Sequence, residues 1–356
     1  MFGLLLAANA LVAPCISTSP ECTEWIKPAG QQERVLIYRT YPLETKNPNI
    51  TRAFVFVHGI NRDADNHFRT ALAAAFLAGS LNDTVIVAPR FASNSSAPGN
   101  QTGNCRDALA PDEANWICEA QRPDTWRSGG STLGAGKLSS FAFMDEILRS
   151  LARKQVFPNL KMIVVAGHSA GGQFVMRYEM LNQVHDSLGV PVSYVVSNPS
   201  SYAYVDNLRP TTSALPTTVS ATAPGYNPPA TSSAPPPFVP YADAANCAGY
   251  DAWPYGLKGR PGYSSGLTDA QVTNQLAARP VTYLLGEADI LPLGVFDTSC
   301  PATAQGPTRL GRGLAFSKYV REHHGALHNT VVVPFCSHSA RCMFTSDVAL
   351  PLIFPQ

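Results

Sequence analysis

Short apolar runs separated by longer stretches of mixed polarity set the rhythm of this chain. Residues 34–38 (Arg-Val-Leu-Ile-Tyr) and 53–57 (Ala-Phe-Val-Phe-Val) are rich in β-branched and aromatic residues and bounded by polar ones, the signature of strands. The second run is apolar at every position, so both of its faces should be buried. Runs of the same kind predict strands over 84–88, 161–166, 192–197, 281–285 and 330–333. Between them, apolar residues recur at helical spacing over about 64–77, 141–154, 170–184 and 308–324. Strands that alternate with helices predict an α/β fold, a mostly parallel central sheet with helices on both faces.

Two segments depart from that rhythm. Residues 89–126 form a long connection that carries two glycosylation-type triplets and two cysteines. Residues 210–240 hold nine prolines, ten serines or threonines and no charge. Such a composition buries too little apolar surface to offset its ordering entropy, so a disordered Pro/Ser/Thr-rich insert is expected inside one domain spanning 34–356. No internal repeat is visible, and the length of 356 residues suits one large domain.

Charge narrows the function. Lys and Arg number 26 against 25 Asp and Glu, which leaves no basic excess to displace counterions from a nucleic acid. Beyond the N-terminus no apolar run approaches the roughly 18 residues of a membrane span. A soluble monomer without nucleic-acid or integral membrane partners is therefore expected. Eight cysteines lack the paired spacing of a zinc site, so no metal is expected and disulfides are. Local bridges 105–118 and 336–342 are the simplest pairings. Asn-x-Ser/Thr triplets at Asn49, Asn82, Asn94 and Asn100, and an apolar stretch over 2–13 with small residues at Ala8, Ala10 and Ala13, point to a cleaved signal peptide and a secreted glycoprotein.

The chemistry begins at Gly167-His168-Ser169-Ala170-Gly171, a G-x-S-x-G sequence between an expected buried strand and an expected helix. A serine on so sharp a turn needs glycines two residues away on either side, so that strand and helix can approach. The helix start aims free N–H groups at a developing oxyanion, with Ala170 N–H as one donor. The second donor is expected from the turn after 53–57, at Ile60 with Asn61 next, because Gly59 lets the backbone bend toward the serine. His58 and His168 suit structural roles. Serine needs a base and an acid to orient that base. Among the remaining histidines, His67 and His185 sit within expected helices, and His323, His324 and His328 lie at or beyond a helix end. His338 follows the last strand and is the expected base. Asp289, in the loop leaving 281–285, is the expected acid in preference to Glu287. The order Ser169, Asp289, His338 differs from those of the chymotrypsin and subtilisin types.

From about residue 34 to 354 the sequence resembles the α/β-hydrolase superfamily. Within it, His58-Gly-Ile-Asn-Arg-Asp-Ala-Asp65 and Tyr250-Asp-Ala-Trp-Pro-Tyr-Gly256-Leu look like a group of secreted fungal hydrolases. The superfamily resemblance implies a Ser/Asp/His triad, no cofactor, and ester or amide hydrolysis. A carboxylic ester hydrolase acting through an acyl-enzyme, on a small or polymeric ester, is the expected activity. A peptidase or amidase is the rival. A depolymerase or cutinase-like enzyme would display aromatic surface around the site, for which Trp253, Tyr255 and Phe238 are candidates, although packing suits them better. A non-catalytic binding protein is the least favoured reading, since all three triad members are present.

Overall fold

The computed structural model describes residues 12–95, 105–119, 122–211, 237–292 and 294–355. Ten strands are β1 (Thr23–Ile26), β2 (Val35–Arg39), β3 (Arg52–Val57), β4 (Thr84–Pro89), β5 (Met162–His168), β6 (Val192–Ser197), β7 (Leu208–Pro210), β8 (Phe238–Pro240), β9 (Val281–Gly286) and β10 (Asn329–Val333). Eight of them form one sheet in the order β1-β2-β4-β3-β5-β6-β9-β10. The β1/β2 and β2/β4 pairs are antiparallel; every other pair is parallel. The α/β architecture expected from the sequence is therefore present.

The α-helices among the described residues are α1 (Ala64–Leu77), α2 (Ser140–Leu151), α3 (Ala170–Leu181), α4 (Asp269–Ala278), α5 (Cys300–Thr303), α6 (Arg309–His324), α7 (Ala340–Phe344) and α8 (Leu350–Ile353). Strand β3 shows how the layers form. Its Ala53, Val55 and Val57 join the apolar cluster that includes α2, α3 and α6, while Phe54 and Phe56 join the cluster on the opposite face with α1, α7 and α8. Alternate residues of a strand point to opposite faces, so an unbroken apolar run is buried on both.

The sheet begins ahead of the expected boundary at residue 34, because Thr23–Ile26 pairs with β2 along its length. Each of its four residues is half-buried, so it offers no alternation for a pattern to detect. Helix α4 was also not anticipated, and only Val272 and Leu276 on it are buried. The ends of the proline-rich stretch are ordered: β7 and β8 pair antiparallel, and Thr211 N–H donates to Pro237 C=O (3.1 Å). Residues 212–236 of the insert, residues 1–11 of the expected signal peptide and Asn100 lie outside the described residues.

Four disulfides are formed: Cys15–Cys22, Cys105–Cys118, Cys247–Cys300 and Cys336–Cys342. The two local pairings expected from the sequence are among them. Among the described residues, no helix is long and apolar enough to cross a membrane.

Candidate active site

Strand order reverses at β3 and β5, since the chain leaves β3 toward β4 on one side and returns to β5 on the other. The crevice outside the carboxyl ends of strands at such a point is where open α/β sheets bind ligands. Both the turn after β3 and the turn after β5 end there.

Ser169 occupies the residue between β5 and α3 with φ 59° and ψ −118°, a conformation rarely adopted by a residue with a side chain. Close backbone approach makes the turn possible. A Cβ on Gly167 would sit 2.1 Å from Gly171 C=O, and one on Gly171 would sit 2.3 Å from Val57 C=O. Ser169 N–H is tied to Ser197 C=O on β6 (2.9 Å), and every residue of α3 is buried. The packing thus holds the strained serine in place.

His338 Nε2 lies 2.9 Å from Ser169 Oγ, and His338 Nδ1 lies 2.7 Å from Asp289 Oδ2. Asp289 is 1% exposed and its second oxygen faces Arg309, which is buried, at 3.4 Å. The loop bearing His338 leaves β10 and is closed by the Cys336–Cys342 bridge. Ala288 N–H donates to Cys336 C=O (2.9 Å), so the loops carrying the acid and the histidine are joined directly. Buried Asn198, at φ 46° after β6, accepts from Gly286 N–H (2.8 Å) and donates from Nδ2 to Ser337 C=O (3.4 Å). Sequence reasoning had not singled out this bracing residue. Glu287 turns the other way and accepts from Phe335 N–H (2.9 Å).

The turn after β3 abuts the serine. A Cβ on Gly59 would lie 3.8 Å from Ser169 Cβ. Ile60 and Ala170 line a small cavity with Ser169, whereas Asn61 is exposed in the turn and is not among the lining residues. His58 is fully buried; its Nε2 accepts from Phe91 N–H (3.0 Å), which leaves Nδ1–H to donate to Gly59 C=O (2.9 Å). Burial pushes its pKa down to about 3, so the ring is neutral and serves as a structural link. His168 is held well below its ordinary value by burial and then by the proximity of His338, whose ring centre is 4.6 Å away. A neutral His168 adds no like charge to an imidazolium forming on His338.

The long connection after β4 packs inward. Trp116 and Trp126 on it are fully buried, and Arg62 on the β3–α1 turn holds its Asp107 at 2.6 Å. It delivers Arg127 to the cavity beside Ser169, which measures about 90 Å³ and is also lined by Gln173, Ser200, Phe296 and Asp297. A larger concavity, about 780 Å³, lies at the β7–β8 ribbon and touches none of Ser169, Asp289 and His338. Trp253 and Tyr255 are buried, with Trp253 Nε1–H donating to Ser128 C=O (2.8 Å), and Phe238 packs on Tyr319. These three are packing residues, and they do not supply the exposed aromatic surface of a depolymerase. No group of His, Cys, Asp and Glu suited to a metal ion occurs among the described residues.

No family model matches the chain, and no curated protein does. Solved structures do. A poly(3-hydroxybutyrate) depolymerase, LpqC, from Bordetella parapertussis superposes with TM-score 0.55 at 19% identity, over 93% of this chain and 87% of that one. Poly(aspartic acid) hydrolase-1 from Sphingomonas sp. KT-1 superposes with TM-score 0.58 at 20% identity, over 93% of this chain and 98% of that one. With its mostly parallel sheet, its serine turn after β5 and these neighbours, the chain has the α/β-hydrolase fold.

Proposed function

We propose that the protein is a secreted serine hydrolase that cleaves carboxylic esters through an acyl-enzyme. The observation that carries this reading is the continuous hydrogen-bonded chain from buried Asp289 through His338 to Ser169, at 2.7 and 2.9 Å. Asp289 accepts the Nδ1 proton of His338, so Nε2 keeps its lone pair toward Ser169 Oγ and takes the serine proton as Oγ attacks the ester carbonyl. The oxyanion forms against Ala170 N–H at the start of α3 and Ile60 N–H, with Asn61 next to it in the turn. His338 then returns its proton to the departing alcohol, and water repeats the sequence to release the acid.

Four disulfides support an oxidising compartment, and Asn49, Asn82 and Asn94 are all exposed, as glycan acceptors must be. Labelling with a fluorophosphonate, compared between wild type and Ser169→Ala, tests the nucleophile; matched p-nitrophenyl esters and anilides test the bond. Labelling and ester turnover that both vanish in the variant are expected. Labelling of Ser169→Ala would remove the assignment, and faster cleavage of anilides would make the enzyme an amidase.

A further inference from the structure

Asp289 is held from two sides. His338 Nδ1 meets its Oδ2 at 2.7 Å, and Arg309, the first residue of α6, meets its Oδ1 at 3.4 Å. Helix α6 grips the same residue through its backbone, because Leu310 N–H donates to Asp289 C=O (3.2 Å). Thr308 Oγ1 caps that first turn by accepting from Gly311 N–H (3.0 Å), so the Arg309 side chain starts from a fixed point.

Arg309 also reaches the wall of the cavity beside Ser169. Its Nη2 donates to Val295 C=O (3.1 Å), and its guanidinium carbon stands 4.9 Å from the centre of the Phe296 ring. Arg312, three residues along α6, stands over the same ring at 4.4 Å and donates to Asp297 C=O (2.9 Å). Val295, Phe296 and Asp297 line the cavity together with Ser169. One side chain of 0% exposure therefore touches both the acid and the wall. A guanidinium suits this task because its donors diverge from a rigid planar fork, whereas an ammonium is a compact point charge.

We propose that Arg309 is a positioning residue of the triad, a bridge that fixes the Asp289 carboxylate and the 295–297 wall in one arrangement. This rests on the ester-hydrolase reading above and adds a residue to its machinery. Contact with Oδ1 leaves Oδ2 for His338 and keeps the carboxylate from turning away. The charge acts as well: a cation beside Asp289 disfavours any further proton on the coupled Asp289–His338 pair, whichever of the two carries it. The other ionisable groups around His338 are His168 at the end of β5, neutral through burial; Asp63 and His67, 3.5 Å apart at the start of α1; Glu287, bound to Phe335 N–H; and Arg341, exposed on α7. Arg309 is among the charges that hold His168 down, so its field reaches the rings at this site.

The test is the pH profile of kcat/KM for p-nitrophenyl acetate in wild type, Arg309→Met and Arg309→Lys, with Tm measured alongside. Arg309→Met loses both charge and bridge: its acid limb should move up by about one pH unit, and its plateau kcat should fall by about tenfold or more. Arg309→Lys keeps the charge, so its limb should stay in place while its kcat falls about fivefold, because an ammonium does not span the two acceptors as the fork does. A residue that only stabilised the fold would lower Tm without moving the limb, so an unmoved limb in Arg309→Met overturns the proposal. Where the Met variant fails to fold, the Lys variant decides, and wild-type kcat in it overturns the bridge. Wild type that turns over acetate and is labelled at Ser169 by fluorophosphonate, with variants that match it, removes this inference alone. No turnover and no labelling of wild type removes the hydrolase reading, and the positioning role with it.

Discussion

Replacing Asp289 by asparagine sets two partners in competition for one amide. In the native site one carboxylate oxygen accepts from His338 Nδ1 at 2.7 Å and the other faces Arg309 at 3.4 Å, with side-chain exposures of 1% and 0% for the ion pair. An asparagine has only one acceptor oxygen, and the buried guanidinium, a permanent cation with donors alone, has the stronger claim on it. The amide NH₂ is then left to face His338 Nδ1. The imidazole must present a lone pair there and carry its proton on Nε2, pointing at Ser169 Oγ, where no acceptor remains for the serine proton. A loss of about 10^4 in kcat follows, the size found where a triad acid is replaced in this way, equivalent to roughly 5 kcal/mol of barrier. Stability falls as well, because Arg309 keeps its charge and loses its counterion; breaking a buried pair costs about 3 to 5 kcal/mol. For a domain of this length that is a drop of roughly 4 to 7 °C in Tm, from about 2.1 cal/mol/K of unfolding entropy per residue. The discriminating measurement is the double variant Asp289→Asn/Arg309→Met, assayed for p-nitrophenyl acetate turnover and thermal unfolding. Without the guanidinium the amide can turn its oxygen to His338, so the double variant should be at least tenfold more active than the single one and should regain stability. A double variant no more active and no more stable than Asp289→Asn would refute the competition. Glu287→Gln, which alters only an acceptor for Phe335 N–H, should cost far less turnover than Asp289→Asn.

Four further outcomes are open to measurement. Gly171→Ala should cost about a hundredfold or more in kcat/KM, because its methyl would meet Val57 C=O at 2.3 Å and His58 C=O at 2.6 Å and push the serine turn from the Ile60 turn; near-native turnover would contradict that contact. Burial raises the Asp145 carboxyl from 3.8 to about 6, with the hydroxyls of Tyr178 and Tyr263 opposing the rise, so its contribution to stability is full below about pH 3.8 and is lost as pH increases through 6. Asp145→Asn should therefore gain on wild type by roughly 2 kcal/mol between pH 4.5 and 7.5 in urea unfolding, and a pH-independent difference would count against the burial. Exchanging residues 212–236 for an Asn-Gly turn should leave small-ester turnover within a few-fold, since Thr211 and Pro237 already meet across the β7–β8 ribbon; a large loss with Ser169 still labelled would give the segment a part in placing substrate. Cys336→Ala/Cys342→Ala should lower turnover more than it lowers Tm, as the bridge closes the loop that presents His338, and the reverse ranking would make it a fold-wide staple.

What could be read from the sequence divides along the range of the forces involved. The limits 64–77 expected for the first helix coincide with α1, and β3 was recognisable as buried on both faces, because periodicity and apolar content act locally. The turn at Ser169 was legible for a steric reason: the glycines at 167 and 171 leave room for backbone oxygens at 2.1 and 2.3 Å. His338 and Asp289 were reachable because each follows the end of a core strand, and the structure brings both side chains to Ser169. Arg127 was not legible. It sits in a connection without periodicity, and its place beside Ser169 depends on buried Trp116 and Trp126 and on the Arg62–Asp107 pair, contacts between residues far apart in the chain. Val295, Phe296 and Asp297 arrive from a different loop again. The same holds for Asn198, whose two bonds join strand ends that only the finished sheet brings together.

His58 has a consequence for kinetics. It holds the turn bearing Ile60 to the start of the long connection through Gly59 C=O and Phe91 N–H, and with a pKa of about 3 it stays uncharged until strongly acidic conditions. That fastening does not titrate across the range in which an ester hydrolase is normally assayed. An acid limb in the rate profile above about pH 4 therefore reports on groups other than this latch, and His58→Gln would be expected to shift the height of the profile without moving the position of that limb.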